Sequence, residues 1–197
     1  MSGAYKDQDG NSFNSVQIGD QLWMAENLNV ISFLNGDPIQ QAMSEEEWED
    51  AGDEYMPAWC YYAYDDGNGK KYARLYNWYA VTDPRGLAPE GWHVPSDDDW
   101  QRLSEYLGRD AGAKIKLAEG WKSNDNASNE TDLNILPGGY CNESGVFRAL
   151  GEVACFWSST ESGEKFAYYR FLRHDSDDLF KLDYGKGDGF SCRCIKT

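Results

Sequence analysis

The chain has 197 residues, and 18 Lys and Arg stand against 34 Asp and Glu, which leaves a formal net charge of −16. Nucleic-acid phosphates and anionic membrane surfaces attract basic stripes, and the longest basic run here is Lys70-Lys71, so neither is an expected partner. Mean hydropathy is −0.73, and the sequence lacks an apolar run near the roughly 20 residues that span a bilayer, so membrane insertion is not expected.

A single domain over residues 1–197 is the expected organisation at this length. Aromatic residues make up 15% of the chain. Chains that stay disordered are poor in aromatic residues, so this composition indicates a folded domain with an aromatic core.

The first predicted element is a hairpin at about 13–27. A Gly19-Asp20 turn separates two short alternating runs, as is typical of a hairpin. The alternating apolar residues are Val16, Ile18, Leu22 and Met24.

Upstream of the hairpin, the oxygen-rich segment Asp7-Gln8-Asp9-Gly10-Asn11 resembles part of a calcium loop. An EF-hand places a bidentate Glu at position twelve, and here that position is Ile18. An Asp-Gly turn is therefore the preferred interpretation, and a minor calcium site near Asp7 and Asp9 or near Asp175 to Asp178 stays open.

Helices are predicted in the middle of the chain, where apolar residues recur at helical spacing and capping residues precede them. The predicted helices run from the cap Ser44 toward Asp50, over Tyr72–Tyr79, from the cap Ser96 to the stop at Gly108, and over Asp110–Glu119. The acidic cluster Asp97 to Asp99 fits the positive end of the third helix better than a metal or acid–base site.

Strands are predicted for the rest of the chain after Leu133. The clearest runs are Val153–Trp157, Phe166–Arg173, Leu179–Tyr184 and Phe190–Ile195. Helices in the middle followed by strands at the end indicate an α+β domain with a mostly antiparallel twisted sheet.

The five cysteines leave two interpretations open. They contain no CxxC pair, and His93 and His174 are the only histidines, so a structural zinc site is not expected. Disulfides would place the chain in an oxidising compartment, and buried free thiols are the equal alternative. The residues Met1 to Ala4 lack an export signal, so a secreted form requires another start or another route.

Seven collinear blocks resemble the Fibrobacter succinogenes major paralogous domain family, which is common in Bacteroidetes and Fibrobacteres. The blocks are Asp9-Gly10-Asn11, Ile18-Gly19 with Trp23-Met24-Ala25-Glu26-Asn27-Leu28, Arg74 to Ala80, Ala88 to Ser96 with Trp100, Leu136-Pro137-Gly138-Gly139-Tyr140, Phe156 to Thr160, and Gly189 to Cys194. They cover nearly the whole chain in order.

This resemblance implies a C-type-lectin-like fold and a secreted or cell-surface location. It also implies the disulfide pairs Cys60 with Cys194 and Cys141 with Cys155, although Cys192 replaces the Val more usual in the family. The lectin calcium motifs Glu-Pro-Asn, Gln-Pro-Asp and Trp-Asn-Asp are absent, so neither a metal nor another cofactor is expected.

An enzyme is not expected either. The segment Gly91 to Ser96 with Trp100 is similar to the scaffold of formylglycine-generating enzymes, but Cys192-x-Cys194 does not have their active-site spacing. The sequence contains neither a Ser-His-Asp set nor a phosphate loop. A fold alone does not define a function, so the binding prediction must depend on particular residues.

The predicted function is recognition of a protein or glycan at a cell surface through the C-terminal sheet face. The resemblance implies that Tyr168, Arg170 and Leu172 point inward, and strand alternation then turns their neighbours outward. The predicted ligand-binding residues are Trp157, Tyr169, Phe171, Arg173, His174, Asp175, Asp178, Phe180, Leu182 and Tyr184. Arg170 and Arg193 are predicted to be buried partners of carboxylates.

Three alternatives accompany this prediction. The same residues can be ordinary core, if both sheet faces are covered. The chain can be a structural spacer between other surface domains. It can also be a receptor-binding protein of a phage or cell surface, diversified by a retroelement at these positions. The oligomeric state stays open.

Overall fold

The computed structural model describes residues 5–123 and 126–197, which form an α+β domain. The helices are α1 (Glu45–Asp53), α2 (Asp66–Tyr72), α3 (Trp78–Val81), α4 (Asp97–Leu107) and α5 (Ala111–Ile115), with a 3-10 turn over Tyr62–Tyr64. The strands are β1 (Tyr5–Lys6), β2 (Ser12–Phe13), β3 (Ser15–Ile18), β4 (Gln21–Met24), β5 (Gln40–Gln41), β6 (Ala58–Cys60), β7 (Leu75–Tyr76), β8 (Trp92–His93), β9 (Tyr140–Cys141), β10 (Phe147–Arg148), β11 (Val153–Glu161), β12 (Phe166–Arg173), β13 (Phe180–Gly185) and β14 (Ile195–Lys196). Within these ranges, no helix is long and apolar enough to cross a membrane.

Two sheets organise the fold. In the first, β3, β4, β14 and β8 lie side by side, and Ile195 of β14 pairs antiparallel with Trp23 on one side and His93 on the other. The second, called here the C-terminal sheet, is the antiparallel order β11-β12-β13. Among the smaller sheets, β5 and β6 form a parallel pair. The sheets are thus mostly antiparallel, as predicted.

Local signals in the sequence place several elements correctly. The strands β3 and β4 form the predicted hairpin. Ser44 caps α1 by accepting a hydrogen bond from the Glu47 amide. Ser96 and Asp99 form a capping box at the start of α4, which ends at Gly108. At the N-terminus, the Asp7 carboxylate accepts hydrogen bonds from the Asp9 and Asn11 amides, as an Asp-Gly turn requires.

The predicted helix over Tyr72–Tyr79 is wrong. The chain leaves helical geometry at Ala73, whose φ is +64°, then runs as β7 and re-enters a helix at α3. Asn77 caps that short helix by accepting a hydrogen bond from the Ala80 amide. The i, i+3, i+4, i+7 spacing of Tyr72, Leu75, Tyr76 and Tyr79 therefore runs across three different elements, α2, β7 and α3.

The predicted helix over Asp110–Glu119 is shorter than expected. It ends at Ile115, because Lys116 is extended and bridges Ile135. The Lys116 side chain is buried beneath the following turns, and its Nζ donates to the carbonyls of Arg173 and Ser176. In contrast, the strand predicted over Phe166–Arg173 has those bounds in the structure.

Two buried arginines hold the core in different ways. Arg170 is 3% exposed and donates to the Asp97 carboxylate at 2.7 Å, as predicted. Arg193 is 2% exposed, but its prediction as a carboxylate partner is wrong. Its guanidinium instead donates hydrogen bonds to the carbonyls of Met24, Ala25 and Leu133 and to the side-chain oxygen of Asn27.

All five cysteines are buried free thiols, so the disulfide pairs implied by the resemblance are absent from the structure. The predicted partner of Cys60 was Cys194, but the Cys60 thiol hydrogen-bonds the Cys141 thiol instead. The two residues belong to one small core cluster, whereas Cys155, Cys192 and Cys194 belong to the largest core. Burial raises the pKa of the Cys60, Cys155, Cys192 and Cys194 thiols.

We expect the native protein to resist thiol alkylation, because thiolate is the reactive species and all five thiols are buried. The raised pKa values of Cys60, Cys155, Cys192 and Cys194 disfavour the thiolate further. Iodoacetamide treatment in urea, without prior reduction, should then add five labels by mass spectrometry. A reduced and denatured sample is the control for complete labelling. Fewer than five labels in the unreduced sample would contradict the free-thiol state.

Candidate functional site

The strand register of the C-terminal sheet sorts its side chains into two faces. Phe171 pairs with Cys155 on β11 and with Phe180 on β13, and Tyr169 likewise pairs with Trp157 and Leu182. Side chains directly opposite each other in adjacent strands share a face. The predicted extension of the patch from β12 onto Phe180, Leu182 and Tyr184 is therefore in phase.

One face of this sheet is covered by α4 and by its own ion pairs. Lys181 reaches the Asp97 carboxylate at 2.6 Å, and the same carboxylate pairs with Arg170. The Lys181 ammonium also lies 4.0 Å from the Tyr168 ring centroid. The Asp97 carboxylate is thus part of the packing between α4 and the sheet, in agreement with a structural role.

The opposite face is buried in its inner part, which corrects the expectation for two residues. Trp157 is 0% exposed and Tyr169 is 8% exposed, so neither can be an outward-facing contact. Phe190 covers both, with ring centroids 4.3 Å from Trp157 and 4.7 Å from Tyr169. The segment that contains Phe190 runs beside β11, as the parallel bridge between Ser191 and Phe156 shows. The core alternative is therefore right for this part of the face.

The outer part of the same face is open. Phe171 and Phe180 stack at 4.9 Å and are half-buried, while Leu182 is 53% exposed and Tyr184 42% exposed. We call these four residues the aromatic patch. Phe180, Leu182 and Tyr184 lie on β13, the edge strand of the sheet, and Phe171 lies on the adjacent β12. Of the ten predicted ligand-binding residues, four thus form this accessible patch, whereas Trp157 and Tyr169 are buried.

The remaining predicted site residues lie in the turn after β12. Arg173 is exposed and forms a two-point ion pair with Asp175, at 2.9 and 2.7 Å. Asp178 is exposed, whereas the His174 backbone amide donates to the Glu152 carbonyl and its side chain is half-buried. These four residues border the sheet and lie outside the aromatic patch.

A group of acidic residues beside Tyr184 was not anticipated from the sequence. We call it the acid pocket: a cavity of about 470 Å³ lined by Asn142, Glu143, Phe166, Asp183, Tyr184, Gly185 and Asp188. Asp188 is 2% exposed and its Oδ1 lacks a hydrogen-bond partner among the described residues. The only sequence signal is an Asp between glycines after an aromatic strand, which resembles an ordinary turn.

The two innermost carboxylates of the acid pocket approach each other at Gly185. A Cβ placed on Gly185 would lie 2.8 Å from Asp188 Oδ2 and 3.4 Å from Glu143 Oε2, so only glycine fits without a shift. Desolvation, and then the charge of Glu143, raise the pKa of Asp188 to about 8. Asp188 is therefore largely protonated at neutral pH in the unliganded pocket.

The loops considered for calcium use their oxygens within the protein. Asp9 Oδ2 accepts a hydrogen bond from the Ile31 amide, and Asp175 pairs with Arg173. In residues 5–123 and 126–197, no group of three or more His, Cys, Asp or Glu side chains is arranged to hold a metal ion.

The geometry thus describes an aromatic-cored α+β domain with one sheet face open at its edge. The chain belongs to the Fibrobacter succinogenes major domain family, whose family model matches residues 16–196. This match confirms the resemblance identified from the seven sequence blocks. Neither a curated protein nor a solved structure matches the chain.

Proposed function

We propose that this chain is a non-catalytic recognition domain that binds a protein through the aromatic patch. The observation that carries this proposal is the exposure of Leu182 and Tyr184 beside the stacked rings of Phe171 and Phe180 on one sheet face. Large apolar and aromatic side chains that stay accessible in a row on an edge strand are typical of contact surfaces.

The composition of the patch favours a protein over a glycan. Sugar rings stack on flat aromatic side chains, and Tyr184 is one such residue. However, Leu182 is the most exposed member of the patch, and Phe180 beside it is apolar as well. An aliphatic centre with an aromatic rim matches the core of a protein interface, where charged residues are depleted.

The family resemblance supports a C-type-lectin-like arrangement and a location outside the cytoplasm, at a cell surface. The pairing of β14 with the N-terminal β4 and with β8 is compatible with that arrangement. An enzyme of the formylglycine-generating type is disfavoured, because Cys192 and Cys194 are both 0% exposed and have raised pKa values. Diversification by a retroelement would act on the same patch.

Selection of ligands tests this function directly. A displayed random peptide library is selected on the immobilised domain, and the enriched peptides are measured against Leu182→Asp and Tyr184→Ala. We expect each substitution to weaken binding at least tenfold, since a central interface residue contributes about 2 kcal/mol or more. The matched control is Tyr106→Asp, because Tyr106 is 65% exposed on α4, away from the patch.

Far-ultraviolet circular dichroism and urea unfolding establish that the variants fold. Peptides that bind every variant equally well, or a selection without enrichment, would contradict the proposed function. A glycan array probed without calcium separates the other ligand class. Binding of a glycan that is lost in Tyr184→Ala, without any peptide ligand, would overturn the choice of a protein.

A further inference from the structure

We infer that the acid pocket beside the aromatic patch receives an arginine side chain of the bound protein. This inference deepens the proposed function and depends on it. The pocket opens next to Tyr184, which belongs to both features. A partner that covers the patch therefore reaches the pocket with its neighbouring residues.

The first argument is the unpaired carboxylate. Asp188 Oδ1 is buried and without a donor in the described part of the chain, although the Glu143 amide donates to the same carboxylate. A buried polar oxygen without a partner is unfavourable, and most such atoms are paired in folded proteins. A donor supplied by a ligand would complete the set.

The second argument is charge. Glu143 lies on the same side of Gly185 as Asp188, and Asp183, whose carboxylate accepts a hydrogen bond from the Ser162 hydroxyl, also lines the pocket. The nearest buried cation, Lys186, is directed away, because its Nζ donates to Glu161 and to the Glu164 carbonyl and lies over the Trp78 ring. Among the described residues, no Lys or Arg lines the acid pocket itself, although Lys165 and Lys186 line the neighbouring cavity together with Glu143. The pocket therefore carries acidic groups on a chain whose net charge is −16.

The third argument selects an organic cation over a metal ion. Calcium takes six to eight oxygen ligands, and no three acidic groups are arranged to hold a metal in the described residues. Two exposed aromatic residues, Phe166 and Tyr184, line the pocket together with the carboxylates. A guanidinium pairs with carboxylates at two points and stacks on rings, whereas a lysine ammonium is a compact, strongly hydrated charge.

The test uses the full chain labelled with ¹⁵N and titrated at pH 8 with N-acetyl-L-arginine N-methylamide. We expect saturable chemical-shift changes at the amides of Glu143, Gly185 and Gly187. The matched probe is N-acetyl-L-citrulline N-methylamide, which has the same shape without the charge. We expect the citrulline probe to bind at least tenfold more weakly.

Two isosteric variants and one control complete the experiment. Asp188→Asn and Glu143→Gln should each weaken the arginine probe at least tenfold. Asp20→Asn removes one charge from an exposed turn that carries a loose pair with Arg102, and it should leave the affinity unchanged. Equal binding of both probes, or equal binding to Asp188→Asn and the native chain, would overturn the inference.

The outcome is independent of the peptide selection, so the two failures can be told apart. If the binding of selected peptides depends on Leu182 but not on Asp188, the proposed function stands and this inference is wrong. Arginine binding at the pocket, with no peptide that depends on Leu182, would leave a cation site without the proposed partner. If calcium chloride shifts the same amide signals more strongly than the arginine probe does, the pocket is a metal site and the inference of an arginine ligand is wrong.

Discussion

We expect Asp188→Asn to be more stable than the native chain at pH 8 by about 3–5 kcal/mol, and nearly equal in stability at pH 4. The pKa of Asp188 is raised to about 8 by desolvation and by Glu143, from about 3.9 in an unfolded chain. At pH values between these two pKa values, Asp188 is protonated in the folded state and ionised in the unfolded state. Stability therefore falls as pH rises, by about 1.4 kcal/mol per unit, until the folded group ionises.

Urea unfolding at pH values from 4 to 8.5 measures this effect as the difference between the two proteins. Glu143 is the charged group facing Asp188, while Tyr140, Tyr169 and Cys155 nearby have raised pKa values and stay neutral. Asp20→Asn is the control for net charge, and its curve should run parallel to that of the native chain. If the stability of Asp188→Asn changes with pH in parallel with that of the native chain, Asp188 does not titrate with a raised pKa.

The second large effect is expected at Arg193. Replacement by Met keeps the apolar stem but leaves the carbonyls of Met24, Ala25 and Leu133 without their donor. Each buried acceptor without a partner costs about 1–3 kcal/mol. We therefore expect Arg193→Met to lose about 3–5 kcal/mol in the free energy of unfolding, measured by urea unfolding at pH 7.

The matched control is Arg148→Met, because the Arg148 side chain is exposed and donates one long hydrogen bond, of 3.4 Å, to the Phe147 carbonyl. Exposed substitutions of this kind change stability by about 0.5 kcal/mol or less. Arg193→Lys keeps the charge but loses the forked guanidinium, so its loss of stability should lie between those of Arg148→Met and Arg193→Met. A loss below about 1 kcal/mol for Arg193→Met would show that water or rearranged main chain satisfies these carbonyls.

The sequence predicts the elements whose signals are local. The hairpin at 15–24 depends on alternation about a glycine turn, and α4 depends on the Ser96 cap and the Gly108 stop. The helix predicted over Tyr72–Tyr79 is wrong because its spacing runs across three elements, of which β7 is fixed by pairing with the distant β6. Lys116 shortens α5 for the same reason, since its partners are the carbonyls of Arg173 and Ser176.

The site was predictable in one respect and not in another. Strand alternation correctly put Phe171, Phe180, Leu182 and Tyr184 on one face. It could not show that Phe190 covers Tyr169 and Trp157, because that contact joins segments far apart in the chain. The two carboxylates of the acid pocket, Glu143 and Asp188, are likewise far apart in the chain and come together beside Gly185 only in the folded structure.

The central position of β14 has a consequence for synthesis on the ribosome. The Met24 amide donates to the Cys194 carbonyl, and Ile195 pairs with both Trp23 and His93. Until residues 194–196 have emerged, a nascent chain exposes the edge of β4 and the unfilled gap beside β8. Exposed strand edges invite pairing with other chains, so translation pauses late in this chain would favour misassembly more than early ones.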